Sequence, residues 1–477
     1  MTEISSPLHA STNGYIEAPA GFGKTYLILD TIKNNPGNKQ LILTHTIAGV
    51  ASLRSKMKQH GVDSSAVSIE TIAGWCQRYV LAFPGIAKAD LEILRARDPK
   101  YYWNHVYSVF NNLLKNSHIK QIIKHSYGGI YVDEYQDCTN KQHEIIVELM
   151  KTLPVRVLGD PLQGIFNMIP GEMIDWSQVE SSFVKQGTLD TPHRWNQAGN
   201  AEYGEWIKVV RASLLAGEPV DLNNAPNCVK VIVLTGDYTG DLMTTLSEAR
   251  KTLVVGSRRL IIGDKLGVIS KNLVVKLSRP RYKLLESIYS KDITELRNWA
   301  IAMDKDLKDE KLVLFDILIK CFSGLPSNLK TAAQKIAAGT GSTSKHELVL
   351  ALKELHTSFN PANGLSVLAA FELHSDTSLH RYQPTMIIEM ALVGLSDGKY
   401  TSLYESLEAA IAGLSRKGRT IPRYSIGSTL LVKGLEVEEA IVLNAHTLPR
   451  NDLYVALSRP TKSITIFTNN KIITPTR

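Results

Sequence analysis

Ala18-Pro19-Ala20-Gly21-Phe22-Gly23-Lys24-Thr25 links a short strand-like run, Gly14–Ala18, to a helical run, Tyr26–Asn34. A strand that turns through small residues into a helix gathers backbone N–H groups at one point, beside the positive end of the helix dipole. Such a turn cradles phosphate. Ala20, Gly21 and Gly23 let the backbone approach the anion closely, Lys24 neutralises the outer phosphates, and the Thr25 hydroxyl reaches Mg²⁺. Ala18 opens the pattern where a Gly is usual. A chance Gly-rich connection would look similar, so a second element has to decide. Gly129-Ile130-Tyr131-Val132-Asp133-Glu134 supplies it: an apolar strand ending in two carboxylates. Asp133 is expected to bind Mg²⁺ through water, and Glu134 to orient and deprotonate the attacking water.

The rest of the chain fits an α/β protein built around these two turns. Strand-like runs at Gly14–Ala18, Gln40–Thr44, Gly129–Val132 and Val155–Gly159 alternate with helical patterns, which predicts a parallel sheet covered on both faces. The strand signal restarts at 228–234 and 252–256, turns helical from about 281 to 415, and returns at Ala440–Asn444 and Ser463–Thr468. The segment after that last strand reads as too short for a further catalytic domain. A length of 477 residues allows two to four domains, roughly one per 100–200 residues. With 44% hydrophobic and 21% charged residues, disorder is excluded as the main state. No apolar run reaches the roughly 18–20 residues of a membrane span, and the N-terminus lacks the pattern of a secretion signal. Cys76, Cys138, Cys228 and Cys321 lie far apart and form no CxxC pair, so a reducing cytoplasm is the expected compartment.

Asp133-Glu134-Tyr135-Gln136-Asp137 resembles the acidic box of the UvrD/Rep-like superfamily 1 (SF1A) DNA helicases, and further boxes follow in that family's order. Gly159-Asp160-Pro161-Leu162-Gln163 is similar to the third box, His193-Arg194 to the fourth, Lys433-Gly434-Leu435-Glu436 to the fifth and Tyr454–Arg459 to the sixth. The resemblance implies two RecA-like P-loop NTPase domains with parallel sheets, each carrying a smaller, mainly helical insertion, and ATP with Mg²⁺ between them. It divides the chain into 1-80 and 128-195 as the first domain, with 81-127 inserted, and 196-280 and 416-477 as the second, with 281-415 inserted. It gives Gln163 and Arg194 contacts to the γ-phosphate and Glu436, beside Gly434, the ribose. Arg459 becomes an arginine finger reaching across the cleft. Tyr26 and His193 take the places that sandwich adenine. The implied activity is ATP-driven translocation on, or unwinding of, single-stranded or partly duplex DNA with 3′-to-5′ polarity. Size and the lack of a nuclease motif are also similar to the UvrD-like subunit of Gabija-type anti-phage systems. That implies a nuclease partner, with an ATPase switch in place of processive unwinding as the alternative.

Departures from the family pattern fall on the strand-binding side. No upstream glutamine motif precedes Ala18, and Thr44-His45-Thr46-Ile47-Ala48 places a histidine where an aromatic base-stacker is usual. Phe166 keeps an aromatic, but Met168 and Ile169 replace a Trp-Arg pair, and Leu430 replaces a histidine. Hydrolysis is therefore expected ahead of processive unwinding. Two basic segments remain as candidate strand contacts. Residues 81–127 hold seven Lys/Arg against three acids with Tyr101, Tyr102, Trp103 and Tyr107 interleaved. A solvated helix with a buried aromatic face would give the same pattern. Residues 250–283 hold ten Lys/Arg, including Arg258, Arg259 and Lys276, against Asp264 alone. That +9 exceeds the net charge of the whole chain, +8.

Overall fold

The structure, a computed structural model, describes residues 13–34, 37–96, 99–165, 172–234, 240–242, 244–245, 258–263, 282–285, 290–305, 307, 313–417 and 421–476. The described chain forms two compact units. One comprises Met1–Cys228, Pro449–Lys462 and Thr474–Arg477; the other comprises Val229–Leu448 and Ser463–Ile473.

The first unit is organised by a six-stranded sheet of β1 (Asn13–Glu17), β2 (Gln40–Thr44), β3 (Val67–Thr71), β4 (Gly129–Val132), β5 (Val155–Gly159) and β6 (Lys185–Thr188), in the order β3-β2-β4-β5-β1-β6. Every neighbouring pair is parallel. Residues 41–44 of β2 and all of β4 are buried, as expected of strands covered on both faces. Helices α1 (Lys24–Asn34), α2 (Ile47–Gln59), α3 (Ile72–Ala82), α4 (Pro99–Leu113), α5 (Ser117–Ser126), α6 (Asn140–Leu149) and α7 (Ala201–Ala216) accompany the sheet. Their starts are set by side-chain caps. Thr46 and Thr71 accept from the amides of Gly49 and Gly74, each at 2.9 Å, and Thr139 with Gln142 closes a reciprocal capping box.

Residues 81–127, expected as a small insertion in the first domain, share the core of this unit. Tyr102, Val106, Phe110, Ile119 and Ile123 pack in one apolar cluster with Tyr15, Leu41 and Ile130. Tyr102 and Tyr107 of α4 are thus core residues, and the amphipathic reading of this helix holds for them.

The second unit carries β7 (Val229–Val233), β8 (Arg259–Gly263), β9 (Lys283–Leu284), β10 (Tyr424–Ser428), β11 (Val437–Val442) and β12 (Pro460–Thr468), ordered β9-β10-β8-β11-β12-β7 in a second parallel sheet. The strand expected at 252–256 lies outside the described residues. Between β9 and β10 runs the helical stretch foreseen for 281–415: α8 (Ser290–Asp304), α9 (Val313–Ile319), α10 (Ser327–Ala337), α11 (Glu347–Thr357), α12 (Pro361–Leu373), α13 (Tyr382–Ser396) and α14 (Leu403–Lys417). Leu296, Trp299, Leu318, Leu352, Phe371, Ile388 and Leu407 build it an apolar core of its own.

After β11 the chain enters α15 (Arg450–Leu457), in a segment that groups with the first unit, whereas the sequence had assigned all of 416–477 to the second. The reason is a set of polar anchors. Tyr203 Oη donates to the Leu457 carbonyl at 2.8 Å, Trp195 Nε1 to that of Pro460 at 2.8 Å, and Asn451 Nδ2 to that of Gly164 at 2.8 Å. Among the described residues, no helix is long and apolar enough to cross a membrane.

Candidate functional site

The site lies at the carboxyl ends of β1, β4, β5 and β6, where ligands of open parallel sheets bind. The turn after β1 needs its glycines. Gly21 and Gly23 have φ of +82° and +89°, a left-handed region that side chains disfavour. A Cβ on Gly23 would come within 2.9 Å of His193 Cδ2, and one on Gly21 within 3.0 Å of Arg194 Cβ. The first turn of α1 carries no acidic side chain, so the positive end of its dipole is not offset locally. Its opening amides lack intrahelical acceptors, as in any helix. Together these make a cradle that fits a phosphate.

Lys24 is buried and lies 3.3 Å from Asp133 Oδ1 and 2.7 Å from Glu134 Oε1. Burial works against the Lys24 charge, but Asp133 and then Glu134 outweigh it, and its pKa is raised. Asp133 is also raised: burial penalises its charge, Lys24 offsets part of that, and the neighbouring charge of Glu134 adds to it. Glu134 has φ 58° and ψ 44°, a left-handed backbone costing a non-glycine residue roughly 1–2 kcal/mol. Gln136 Nε2 donates to Glu134 Oε2 at 2.6 Å and helps to hold it there. Thr25, half-buried at the head of α1, and Asp133 are oxygen donors of the hard type that Mg²⁺ takes. Among the described residues, no group of three or more His, Cys, Asp or Glu could enclose a metal by itself. The donors present suit an ion held partly by water and phosphate, as Mg²⁺ usually is.

Gln163 is buried after β5, its Nε2 donating to Asp160 Oδ2 at 3.2 Å. The Arg194 amide donates to the Gly21 carbonyl at 3.0 Å, while its Nη1 donates to the Ser458 carbonyl at 2.7 Å. The backbone of Arg194 thus braces the cradle, and its side chain ties in the segment after α15. The Ala20 amide donates to Tyr454 Oη at 3.2 Å. Tyr26 is exposed and meets His60 edge-on, with ring centroids 4.9 Å apart. His193 packs over Gly23, so the two expected adenine neighbours both stand near the start of α1.

Other expected residues fall differently. Arg459 is 1% exposed; its Nε donates to the Val455 carbonyl at 2.8 Å and its Nη2 to Ser458 Oγ at 2.6 Å. It groups with the first unit, whereas the sequence had placed it on the second. Gly434, with φ +78°, and Glu436 are exposed on the second unit ahead of β11. Arg259 is buried and paired with Glu439 of the neighbouring β11, and Arg258 lies 3.7 Å from Glu438. Arg259 is thus committed to Glu439, whereas the Arg258 side chain is 44% exposed. Both stand at or just before the amino end of β8, where they neutralise acids of the adjacent strand. Trp103 is partly exposed and stacks on Tyr107 at 6.3 Å. His45 is half-buried, its Nε2 3.7 Å from Cys138 Sγ. Phe166, Met168, Ile169, Lys276 and most of the basic window lie outside the described residues.

Three contributors were missed in the sequence: Gln136, Arg211 and Tyr454. Gln136 and Tyr454 stood inside quoted boxes but carried no assigned role. Arg211, in the middle of α7, gave no signal beyond a charged residue on a helix.

Residues 91–173, which contain Asp133, Glu134 and Gln163, match the family model of the UvrD/REP helicase N-terminal domain. No curated protein matches the chain. Among solved structures, Arterivirus nonstructural protein 10 (helicase) is similar at 11% identity, covering 98% of this chain and 61% of that one, with a TM-score of 0.36. The complex of Arterivirus nonstructural protein 10 (helicase) with DNA is similar at 10% identity, covering 98% and 62%, with a TM-score of 0.35. The chain thus spans less than two thirds of the length of those proteins.

Proposed function

We propose that this chain is an ATP-dependent DNA translocase or helicase of the UvrD type. The observation that carries the reading is the Lys24–Asp133–Glu134 cluster beside the left-handed Gly21 and Gly23 at the head of α1. The match of 91–173 to a UvrD/REP helicase domain supports it. In this reading Lys24 exchanges its carboxylate partners for the outer phosphates, and the amides at the head of α1 hold the remaining oxygens. Thr25 and Asp133 hold Mg²⁺, which when bound neutralises charge between the phosphates. Glu134, released from Lys24, takes the proton of the attacking water, and Gln163 and Arg194 respond to the γ-phosphate. Tyr26 and His193 flank the base, and Arg459 leaves its own helix end to stabilise the transition state. The 3′-to-5′ polarity, a nuclease partner and a role in anti-phage defence are finer parts of the proposal and rest on the resemblance of the boxes.

A second reading is an ATPase switch that controls a partner without processive unwinding. It is favoured by Arg259, which is buried against Glu439 instead of standing on an open basic face. One experiment separates the readings: the ATPase rate alone and with single-stranded DNA, duplex DNA or RNA, alongside displacement of strands with 3′ or 5′ tails. Stimulation by DNA together with displacement from 3′ tails is expected of the motor. Stimulation without displacement selects the switch. Hydrolysis that no nucleic acid stimulates overturns both.

A further inference from the structure

Asp160 is fully buried, and its partners come from distant parts of the first unit. Its Oδ1 accepts from the Leu162 amide and from Arg211 Nη2, each at 3.3 Å, and its Oδ2 accepts from Gln163 Nε2. Tyr454 stands nearby: burial and then the Asp160 charge raise the pKa of its hydroxyl, whose oxygen receives the Ala20 amide of the phosphate cradle. The Asp160 amide donates to Gln136 Oε1 at 3.0 Å, and Gln136 in turn grips Glu134. Asp160 is thus joined to Gln163, the expected γ-phosphate sensor, and to the candidate general base.

Arg211 is the cation at this junction. It is 8% exposed and projects from α7 among Ile207, Val210 and Leu214, where an apolar residue would cost less to bury. Its Nη2 lies between Asp160 and Glu17, 3.8 Å from Glu17 Oε2. Lys185 meets the other oxygen of Glu17, Oε1, at 3.1 Å, and Thr188 Oγ1 donates to Oε2 at 3.2 Å. Cohesion alone does not call for an ion here. The residues that the ion organises are those expected to surround a reacting phosphate.

We infer that Arg211 is a positioning residue for nucleotide hydrolysis, acting through Asp160 on Gln163 and on Glu134 by way of Gln136. It touches no substrate. The inference deepens the ATPase reading and rests on it for its kinetic consequences, while its structural content stands apart.

The test compares the full-length wild type with Arg211→Met, Arg211→Lys and the double variant Asp160→Asn/Arg211→Met. Arg211→Met should lower kcat by about 10- to 100-fold while the Kd for a fluorescent ATP analogue changes by no more than about threefold, because geometry and not binding is lost. Arg211→Lys should recover part of kcat, and the double variant should recover some thermal stability by removing the uncompensated acid. A kcat within about twofold of wild type for folded Arg211→Met would overturn the inference. So would equal losses of kcat and analogue affinity that track the fall in Tm. Hydrogen–deuterium exchange provides a readout independent of turnover. Arg211→Met should speed exchange at 159–164 and 133–138, with residues 424–442 of the second unit unchanged. If wild type hydrolyses no ATP, the proposed function fails, and exchange alone then decides: unaltered protection at 159–164 overturns the role of Arg211, and selective loss sustains it.

Discussion

The turn after β4 and the turn after β11 share one backbone design. Each leaves its strand through a left-handed residue, Glu134 at φ 58°, ψ 44° and Asn444 at φ 47°, ψ 50°. A single 3₁₀ turn follows, Tyr135–Asp137 in one and Ala445–Thr447 in the other, and then a helix, α6 or α15. Asn is among the residues that tolerate this conformation; Glu is not. After β11 the chain has chosen the residue that suits the backbone. After β4 it keeps an unsuited one and holds it with Gln136 and Lys24. An observed strain of this kind points to chemistry. The same contrast appears between ion pairs. Lys24 meets its acids at the carboxyl ends of strands beside a helix N-terminus, whereas Arg259 meets Glu439 at the amino end of β8. Position along the strand separates a site from a brace.

Exchanging the two left-handed residues tests the contrast most severely. Glu134→Asn should keep the fold and lower kcat by about 10²- to 10⁴-fold, because the general base is lost while the backbone is eased. Turnover near wild type would remove Glu134 from the chemistry. Next in size is Arg259→Met, which strands Glu439 beside the sheet and should cost about 2 kcal/mol in denaturant unfolding, tempered by the partial exposure of the acid. The salt dependence of DNA affinity should not change; a shallower salt slope would return Arg259 to the strand-binding surface. The reciprocal swap, Asn444→Glu, should cost roughly 1 kcal/mol of stability with no gain of hydrolysis. No loss at all would show that the left-handed turn carries no strain, and would weaken the reading of Glu134.

The smallest effect concerns pH. His143 is held below its ordinary value of 6.5 by burial, and its ring meets Tyr135 Oη at 2.8 Å and Ser182 Oγ at 3.3 Å. A lowered histidine means that the unfolded chain binds the proton more readily. Stability is therefore present above pH 6.5 and lost as pH falls below it. His143→Gln should flatten the Tm-versus-pH curve between pH 7 and about 5. An unchanged slope would assign the acid sensitivity elsewhere, for example to His380 of the second unit, also lowered chiefly by burial.

Much of this was legible beforehand for a physical reason. The cradle is a local object: its glycines, Lys24 and Thr25 are consecutive, and the apolar run 129–132 announces a buried strand ending at Asp133 and Glu134. The helical stretch 281–415 was legible because its periodic apolar residues close a core among themselves. The aromatic segment 101–107 was less so. A periodic pattern says that a face is buried but not against what, and here Tyr102 and Tyr107 face the core of the first unit. The pairing of Arg259 was not legible because a sequence does not show Glu438 and Glu439, some 180 residues away, arriving on the next strand.

By itself the sequence determined the phosphate cradle, the acidic strand end and the α/β alternation, since each depends on residues within a few positions of one another. Only the tertiary structure decided that Pro449–Lys462 joins the first unit, that Arg259 is a brace, and that Asp160 gathers Arg211 and Gln163 around itself. Those outcomes depend on which buried charge finds which partner, and burial is a property of the folded chain.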